Sequence, residues 1–362
     1  MDFKVIIILL FNTSFKNNTI KSLFVKLVYK QRFYMIYFYC KIILQRGVFM
    51  KKVCCIGIVT SDIIVKPADA VPPPGQLQAV ESISMHVGGC AANASVDMQI
   101  LGVPSRLITK IGNDSFGDFV LKYLMEKGLD TSGVVVDKNV TTTASVACIY
   151  SNGERSFLYN PSSNDSIVIE DINMDLVNSS DIVFIAGSLL MNKFDGPQCA
   201  AFLEKCKTLG KYTVMDTAWD FRDIWMKKIK SSLPLLDLFM PSYDEAVKLS
   251  GETEPDKQAD IFVQHGVKNV VIKLGKDGAY VCEEGGSRYF VPTYKHIKPI
   301  DTTGAGDSFC AGFLAGLSKG WSYKECTILA NAVGTHCVME IGASTGIKPL
   351  PEILRFINEN PL

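Results

Sequence analysis

Asp301-Thr302-Thr303-Gly304-Ala305-Gly306-Asp307 runs directly into Ser308-Phe309-Cys310-Ala311-Gly312-Phe313-Leu314-Ala315-Gly316-Leu317. Small, flexible residues come first, then a carboxylate, then apolar residues at helical spacing. This order predicts a tight loop opening a helix near Asp307. The glycines let the backbone approach a ligand closely, and the first N–H groups of a helix have no internal partner. With a dipole worth roughly half a positive charge, such N–H groups form a site for phosphate oxygens. Asp307, just past that site, reads in isolation either as a dipole partner or as a base that takes a proton from a hydroxyl attacking the phosphate. Phosphoryl transfer is therefore the chemistry to seek along the rest of the chain.

A chain of 362 residues can bury one large core with a small appendage. Its 37 basic and 37 acidic residues balance to zero, which argues against nucleic acid or an anionic membrane surface as partner. The eleven cysteines are scattered without a C-x-x-C, as buried thiols of a reducing, cytoplasmic compartment would be. His86, His265, His296 and His336 lack metal-ligand spacing. Residues 1–49 differ in composition from the rest of the chain, with eight Lys or Arg against one acidic residue. Their apolar bursts, Val5–Phe11 and Phe33–Leu44, fall short of the roughly 18 residues of a membrane span. Gln45–Phe49 can be encoded by a purine-rich ribosome-binding sequence just before Met50. The expectation is a non-domain leader, with the working start at Met50 in a bacterial source.

From Met50 the pattern is α/β. Lys51–Val59 predicts a first strand, and Asp62 follows it, where a carboxylate faces the ligand crevice of a parallel sheet or simply sits in a turn. Alternating segments near 63–87 and 141–160 predict strands standing off the main sheet as a small lid, the second a hairpin around Ser151-Asn152-Gly153-Glu154. Between them, Gly88-Gly89-Cys90-Ala91-Ala92-Asn93 leads into a helix, with Asn93 pointing inward. After Asp165 strands and helices alternate: Ile182–Ala186, Pro197–Leu209, Thr213–Asp216, Leu236–Met240, Ser242–Ser250 and Val270–Lys273. Such alternation predicts a mostly parallel sheet wrapped by helices. A turn containing Gly275 and Gly278 comes next, and Tyr323–Val338 is a further helix.

With these pieces placed, the chain from Lys52 to about Ile347 resembles the ribokinase family, the PfkB carbohydrate kinases. Gly88-Gly89-Cys90-Ala91-Ala92-Asn93 and Asp301–Asp307 carry the resemblance, with Lys110-Ile111-Gly112-Asn113-Asp114-Ser115-Phe116-Gly117 between them. It implies a ribokinase-like three-layer sandwich: a mostly parallel central sheet flanked by helices, with a β lid over the sugar site. The domain would span residues 50–350, leaving 351–362 as a tail. By resemblance Asp307 is the base that deprotonates a sugar hydroxyl attacking the γ-phosphate of ATP, and Gly304, Ala305 and Gly306 supply anion-hole N–H groups. Asp62, Gly88, Gly89 and Asn93 match the sugar side. Ser242, Glu245, Lys273, Gly275, Gly278 and Asn331 match the nucleotide side. Asp301, Thr303 and Gly342 match a monovalent-cation loop, so that ATP, Mg²⁺ and K⁺ are the implied cofactors.

Three departures stand out. Ser242 replaces a family Asn, Cys90 stands where ribokinases proper carry Lys, and Asp216-Thr217-Ala218-Trp219 replaces an Asp-x-Asn stretch. A nucleoside kinase of the same family and a non-catalytic sugar-binding regulator are the rival expectations. Met85, Cys148, Tyr150 and Tyr159 are candidates to cover a hexose or stack on a base, and Arg155 and Arg222 to meet an acidic sugar. Self-association through the lid edges is expected on the ground that a small sheet needs its edges covered.

Overall fold

The computed structural model describes residues 50–362 apart from Gly153; the leader expectation for residues 1–49 lies outside the described residues. The first strand, β1 (Val53–Gly57), is buried along its whole length. So is β8 (Ile182–Ser188). Strands covered by helices on both faces read as unbroken apolar runs, as these do. They are neighbours in a nine-stranded sheet of order β13-β12-β11-β10-β9-β8-β1-β4-β5. The remaining members are β4 (Ser105–Gly112), β5 (Val134–Asp137), β9 (Tyr212–Thr217), β10 (Leu238–Phe239), β11 (Asn269–Lys273), β12 (Ala279–Cys282) and β13 (Arg288–Val291). Pairing is parallel except at the β11–β12–β13 edge. From β1 the chain order runs one way through β4 and β5 and the other way through β8, so a switch point lies at the carboxyl ends of β1 and β8, where ligands of open α/β sheets bind.

The lid is a separate four-stranded sheet, β3-β2-β6-β7, built from β2 (Thr60–Lys66), β3 (Ser82–Gly88), β6 (Ala144–Ile149) and β7 (Arg155–Asn160). Both expected lid segments are thus strands of one sheet. Only Ile58 and Val59 separate β1 from β2, so the lid grows directly from the central strand. Its other root is pinned by Asp114, which accepts from Gly117 N at 2.9 Å, Thr142 N at 2.8 Å and Thr142 Oγ1 at 2.8 Å. The Lys110–Gly117 signature therefore ties the end of β4 to the start of β6.

The larger helices, in chain order, are α1 (Cys90–Ile100), α2 (Ser115–Glu126), α3 (Pro197–Thr208), α4 (Tyr243–Ser250), α5 (Pro255–Gln264), α6 (Ala305–Ser318), α7 (Tyr323–Cys337) and α8 (Leu350–Glu359). α6 packs against α1 and α7. It starts two residues before Asp307, capped by Gly304 at φ 77°, a left-handed conformation in which a side chain would be strained. A Cβ at Gly304 would also lie 2.6 Å from that of Ala343. The residues expected as a tail include α8, whose Ile353 is fully buried and whose Phe356 ring packs on Tyr294 and His336. α5 and β13 were not singled out from the sequence. The strand expected over Leu236–Met240 shortens to Leu238–Phe239, and its pairing resumes as a bridge between Ser242 and Lys273.

Candidate active site

Asp307 sits in the first turn of α6, and its Oδ2 accepts a 2.8 Å bond from Asn93 Nδ2 in the first turns of α1. The two glycine-bearing signatures, far apart in sequence, thus meet side chain to side chain. Burial raises the Asp307 pKa, and the Asn93 bond, the Lys273 charge and the Cys90 thiol pull it partly back. A carboxylate so placed is more basic than an exposed one. Ala305 N donates to Thr302 O at 3.3 Å, and by helix geometry the N–H groups of Gly306 and Asp307 that follow have no intrahelical acceptor. Lys273 Nζ stands beside them, 3.5 Å from where a Cβ on Gly306 would be.

Lys273, at the carboxyl end of β11, bonds Asp216 Oδ1 at 2.6 Å. Burial opposes its charge, but Asp216, Cys310 and Glu245 outweigh that and hold the ammonium well above its ordinary pKa. Cys90 Sγ and carboxylate oxygens of Asp216 and Asp307 lie within 4.8 Å of one another. With Lys273 already balancing the cluster, it is suited to handling a proton beside a phosphate.

Next to this centre a cavity of about 480 Å³ is lined by Thr60, Asp62, Ser145, Phe157, Tyr159, Leu190, Trp219 and Phe221. Asp62 Oδ1 accepts from Ser145 Oγ at 2.6 Å, and burial raises its pKa against that bond. Gly88 contributes by omission, because a Cβ there would fall 2.1 Å from Asp62 Oδ2. Gly89 has a similar task, its φ of 94° letting α1 start against the backbone of Ile58 and Val59. Strand alternation turns Phe157 and Tyr159 of β7 toward the cavity and Leu158 to the other face of the lid.

The opposite wall comes from a loop organised by buried Asp220, whose carboxylate accepts from the backbone N–H of Arg222, Ile224 and Trp225. That loop presents Trp219 and Phe221, the latter edge-on to Tyr159 at 5.7 Å. Phe157, Phe221, Ser145 and Asp220 were not singled out from the sequence. For the first two, aromatic residues flanking the hairpin and the Asp216 stretch were the available signal. Of the lid candidates only Tyr159 lines the cavity; Tyr150 bonds Ser156 Oγ within the hairpin instead. Arg222 is paired with Asp165 and stacked over Phe221, with Nη1 lacking a partner among the described residues.

On the nucleotide side Ser242 and Glu245 form a capping box for α4. Glu245 Oε2 accepts from Ser242 N at 2.9 Å and from Thr217 Oγ1 at 3.0 Å, while Ser242 Oγ accepts from Glu245 N at 3.4 Å. Ser242 is thus spent on the cap, and the described bonds of Glu245 leave Oε1 open. This carboxylate fits a role in holding Mg²⁺ through water. Gly275 borders open space, whereas a Cβ at Gly278 would meet Val291 O at 2.1 Å, so these glycines do different work. Asn331 donates to Val291 O and Pro292 O at 3.2 and 2.9 Å, tying α7 to the chain after β13.

Asp301, Thr303 and Gly342 do come together. Asp301 Oδ1 accepts from Thr303 N at 3.0 Å and Thr303 Oγ1 at 2.8 Å, and Oδ2 accepts from Gly342 N at 3.0 Å. A fourth participant arrives from the lid. Arg155 donates Nη2 to Asp301 Oδ1 at 3.0 Å and Nη1 to Thr303 Oγ1 at 2.7 Å. Burial disfavours the Asp301 charge, but the Thr303 and Gly342 bonds and the Arg155 charge hold its pKa below the ordinary value. With the carboxylate so occupied, the donor set does not fit a monovalent cation beside Asp301 while Arg155 is docked. No helix among the described residues is long and apolar enough to cross a membrane.

Comparison with known proteins agrees with this architecture. The family model described as pfkB family carbohydrate kinase matches residues 50–350. The ATP-dependent 6-phosphofructokinase of Thermoanaerobacterium thermosaccharolyticum is 28% identical over 75% of this chain and 84% of its own. The 2-dehydro-3-deoxygluconokinase of Bacillus subtilis is 27% identical over 78% of this chain and 90% of its own. An E. coli protein named as a ribokinase II and solved with ATP and Mg²⁺ superposes with a TM-score of 0.72 at 25% identity, over 86% of this chain and all of that one. The chain belongs to the PfkB family of carbohydrate kinases, phosphotransferases with an alcohol acceptor.

Proposed function

We propose that this protein transfers the γ-phosphoryl group of ATP to a hydroxyl of an uncharged sugar, with Asp307 as general base. The buried Asp307 in the first turn of α6, 2.8 Å from Asn93, carries the proposal. The acceptor O–H proton passes to the Asp307 carboxylate as the new O–P bond forms. The bond from the γ-phosphorus to its bridging oxygen breaks, and ADP departs with that electron pair. Asn93 holds the carboxylate, N–H groups near Gly304, Ala305 and Gly306 stabilise charge on the group in flight, and Lys273 adds a fixed positive charge beside them. Mg²⁺, when bound, offsets phosphate charge, and Glu245 is the carboxylate to hold it. A non-catalytic regulator would have no use for a carboxylate whose burial raises its basicity.

The case for an uncharged acceptor rests on the cavity lining. A phosphate or carboxylate on the substrate, as the names of the two relatives denote, is bound most strongly where a cation receives it. The lining holds none and one carboxylate, Asp62. Arg155 is paired with Asp301, and Arg222, outside the lining, gives Nη2 to Asp165 and keeps Nη1 unpartnered among the described residues. The aromatic walls of Phe157, Tyr159, Trp219 and Phe221 favour a second reading, a nucleoside acceptor whose base stacks among them. We also infer that residues 50–350 act as one kinase domain, and that a second copy of the chain covers the lid, where Ile83, Met85 and Leu158 are exposed on the face away from the cavity.

The test is ADP release by the full chain with Mg-ATP against neutral sugars, sugar phosphates, sugar acids and nucleosides, with Asp307→Asn as control. Turnover of a neutral sugar, absent in the control, is expected. Turnover confined to nucleosides would select the second reading, and turnover confined to sugar acids or phosphates would overturn the charge argument.

A further inference from the structure

We infer that Arg155 takes the place of a monovalent cation at the loop leading into the anion hole, so that docking of the lid hairpin positions that loop. The inference rests on the kinase reading for its catalytic consequence, while the electrostatic exchange itself does not. Arg155 opens β7, and its guanidinium reaches two residues of the loop by separate nitrogens, at 3.0 and 2.7 Å. Charge-assisted bonds from a planar fork fix orientation as well as distance. Asp301 is the hub: Oδ1 is shared by Arg155 and Thr303, and Oδ2 receives the Gly342 N–H. Thr303 immediately precedes Gly304, whose left-handed backbone presses against Ala343.

A displacement of this loop therefore reaches the first N–H groups of α6. A bound cation would supply positive charge at the same carboxylate; here a side chain of the lid supplies it. Two further observations set the character of the device. Arg155 keeps 34% of its side chain exposed against 15% for Asp301, so the arginine can leave to water while the carboxylate stays. The same hairpin carries Ser145, Phe157 and Tyr159 of the acceptor cavity. Filling the cavity and docking Arg155 are thus movements of one element. Arg155 is a positioning residue: its guanidinium bonds go to Asp301 and Thr303, and it is not among the residues that line the cavity.

The experiment compares the full-length wild type with Arg155→Gln and Arg155→Lys, exchanging potassium chloride for tetramethylammonium chloride at constant ionic strength. Two quantities are read: turnover on the best acceptor, and the thermal midpoint without substrates. Wild-type turnover should change by less than about twofold with potassium, while Arg155→Gln should lose about tenfold without it and regain most of that with it. The midpoint of Arg155→Gln should rise in potassium but not in tetramethylammonium, and the rise should vanish when Asp301→Asn is added. Arg155→Lys should resemble the wild type in this midpoint test. A wild type as dependent on potassium as Arg155→Gln would overturn the inference. So would a potassium-indifferent loss in Arg155→Gln appearing as a raised KM for ATP, which would put the guanidinium on the phosphates. If no acceptor is turned over, the kinase reading fails by itself, and the midpoints still decide whether Arg155 and potassium exchange at Asp301.

Discussion

At the scale of single residues, the centre divides into groups that do chemistry and groups that make room for it. Asp307→Asn is expected to lower kcat by about 10² to 10⁴, with an unchanged or higher thermal midpoint, because burial already disfavours the charge that is removed. ADP release and a melting curve on the same preparation check both halves. Asn93 donates to the ionised carboxylate, so Asn93→Ala should raise the Asp307 pKa further. The base is then ionised only at higher pH, and the acidic limb of the kcat profile should move up. An unmoved limb would remove Asn93 from that role. Gly88→Ala tests the room-making class: its Cβ would collide with Asp62 Oδ2, so acceptor KM should rise with little effect on the KM for ATP. The sequence alone named Asp62 and Gly88 as partners of the sugar, but the steric dependence of one on the other requires the lid register that pairs β2 with β3.

At the scale of elements, the capping box of α4 shows what Ser242 does here. The serine hydroxyl and the Glu245 carboxylate close on each other's backbone N–H groups. Ser242→Ala should cost about 1 kcal/mol of stability and loosen Glu245, raising the Mg²⁺ concentration at half-maximal turnover; denaturant melts and a magnesium titration separate the two. The pair α1 and α6 was legible from the outset, because glycine-rich starts followed by apolar helical periodicity are local signals. The lid segments were legible for the same reason. The Asp220 loop was not, since its form depends on one buried carboxylate collecting three backbone N–H groups. Nor was the Arg155 contact, which joins residues nearly 150 positions apart and leaves no periodic trace.

At the scale of the whole molecule, several carboxylates are buried where folding works against their charge. Asp97 of α1 is fully buried beside Ser308 of α6, and burial pushes its pKa up to about 7 from 3.8. Because the folded pKa lies above the unfolded one, the stability this group contributes is complete below about pH 4 and is lost as pH rises through about 7. The thermal midpoint should therefore fall across that window, and Asp97→Asn should flatten part of the fall. Light scattering of the full chain checks the lid-mediated dimer, for which a monomer at all concentrations is the adverse result. The hairpin of β6 and β7 has one more consequence. Three of the side chains that line the cavity, Ser145, Phe157 and Tyr159, share a single short stretch, Ala144–Asn160, with the arginine that reaches Asp301. If both proposals hold, a hairpin grafted from a relative is expected to carry that relative's salt dependence along with part of its sugar preference.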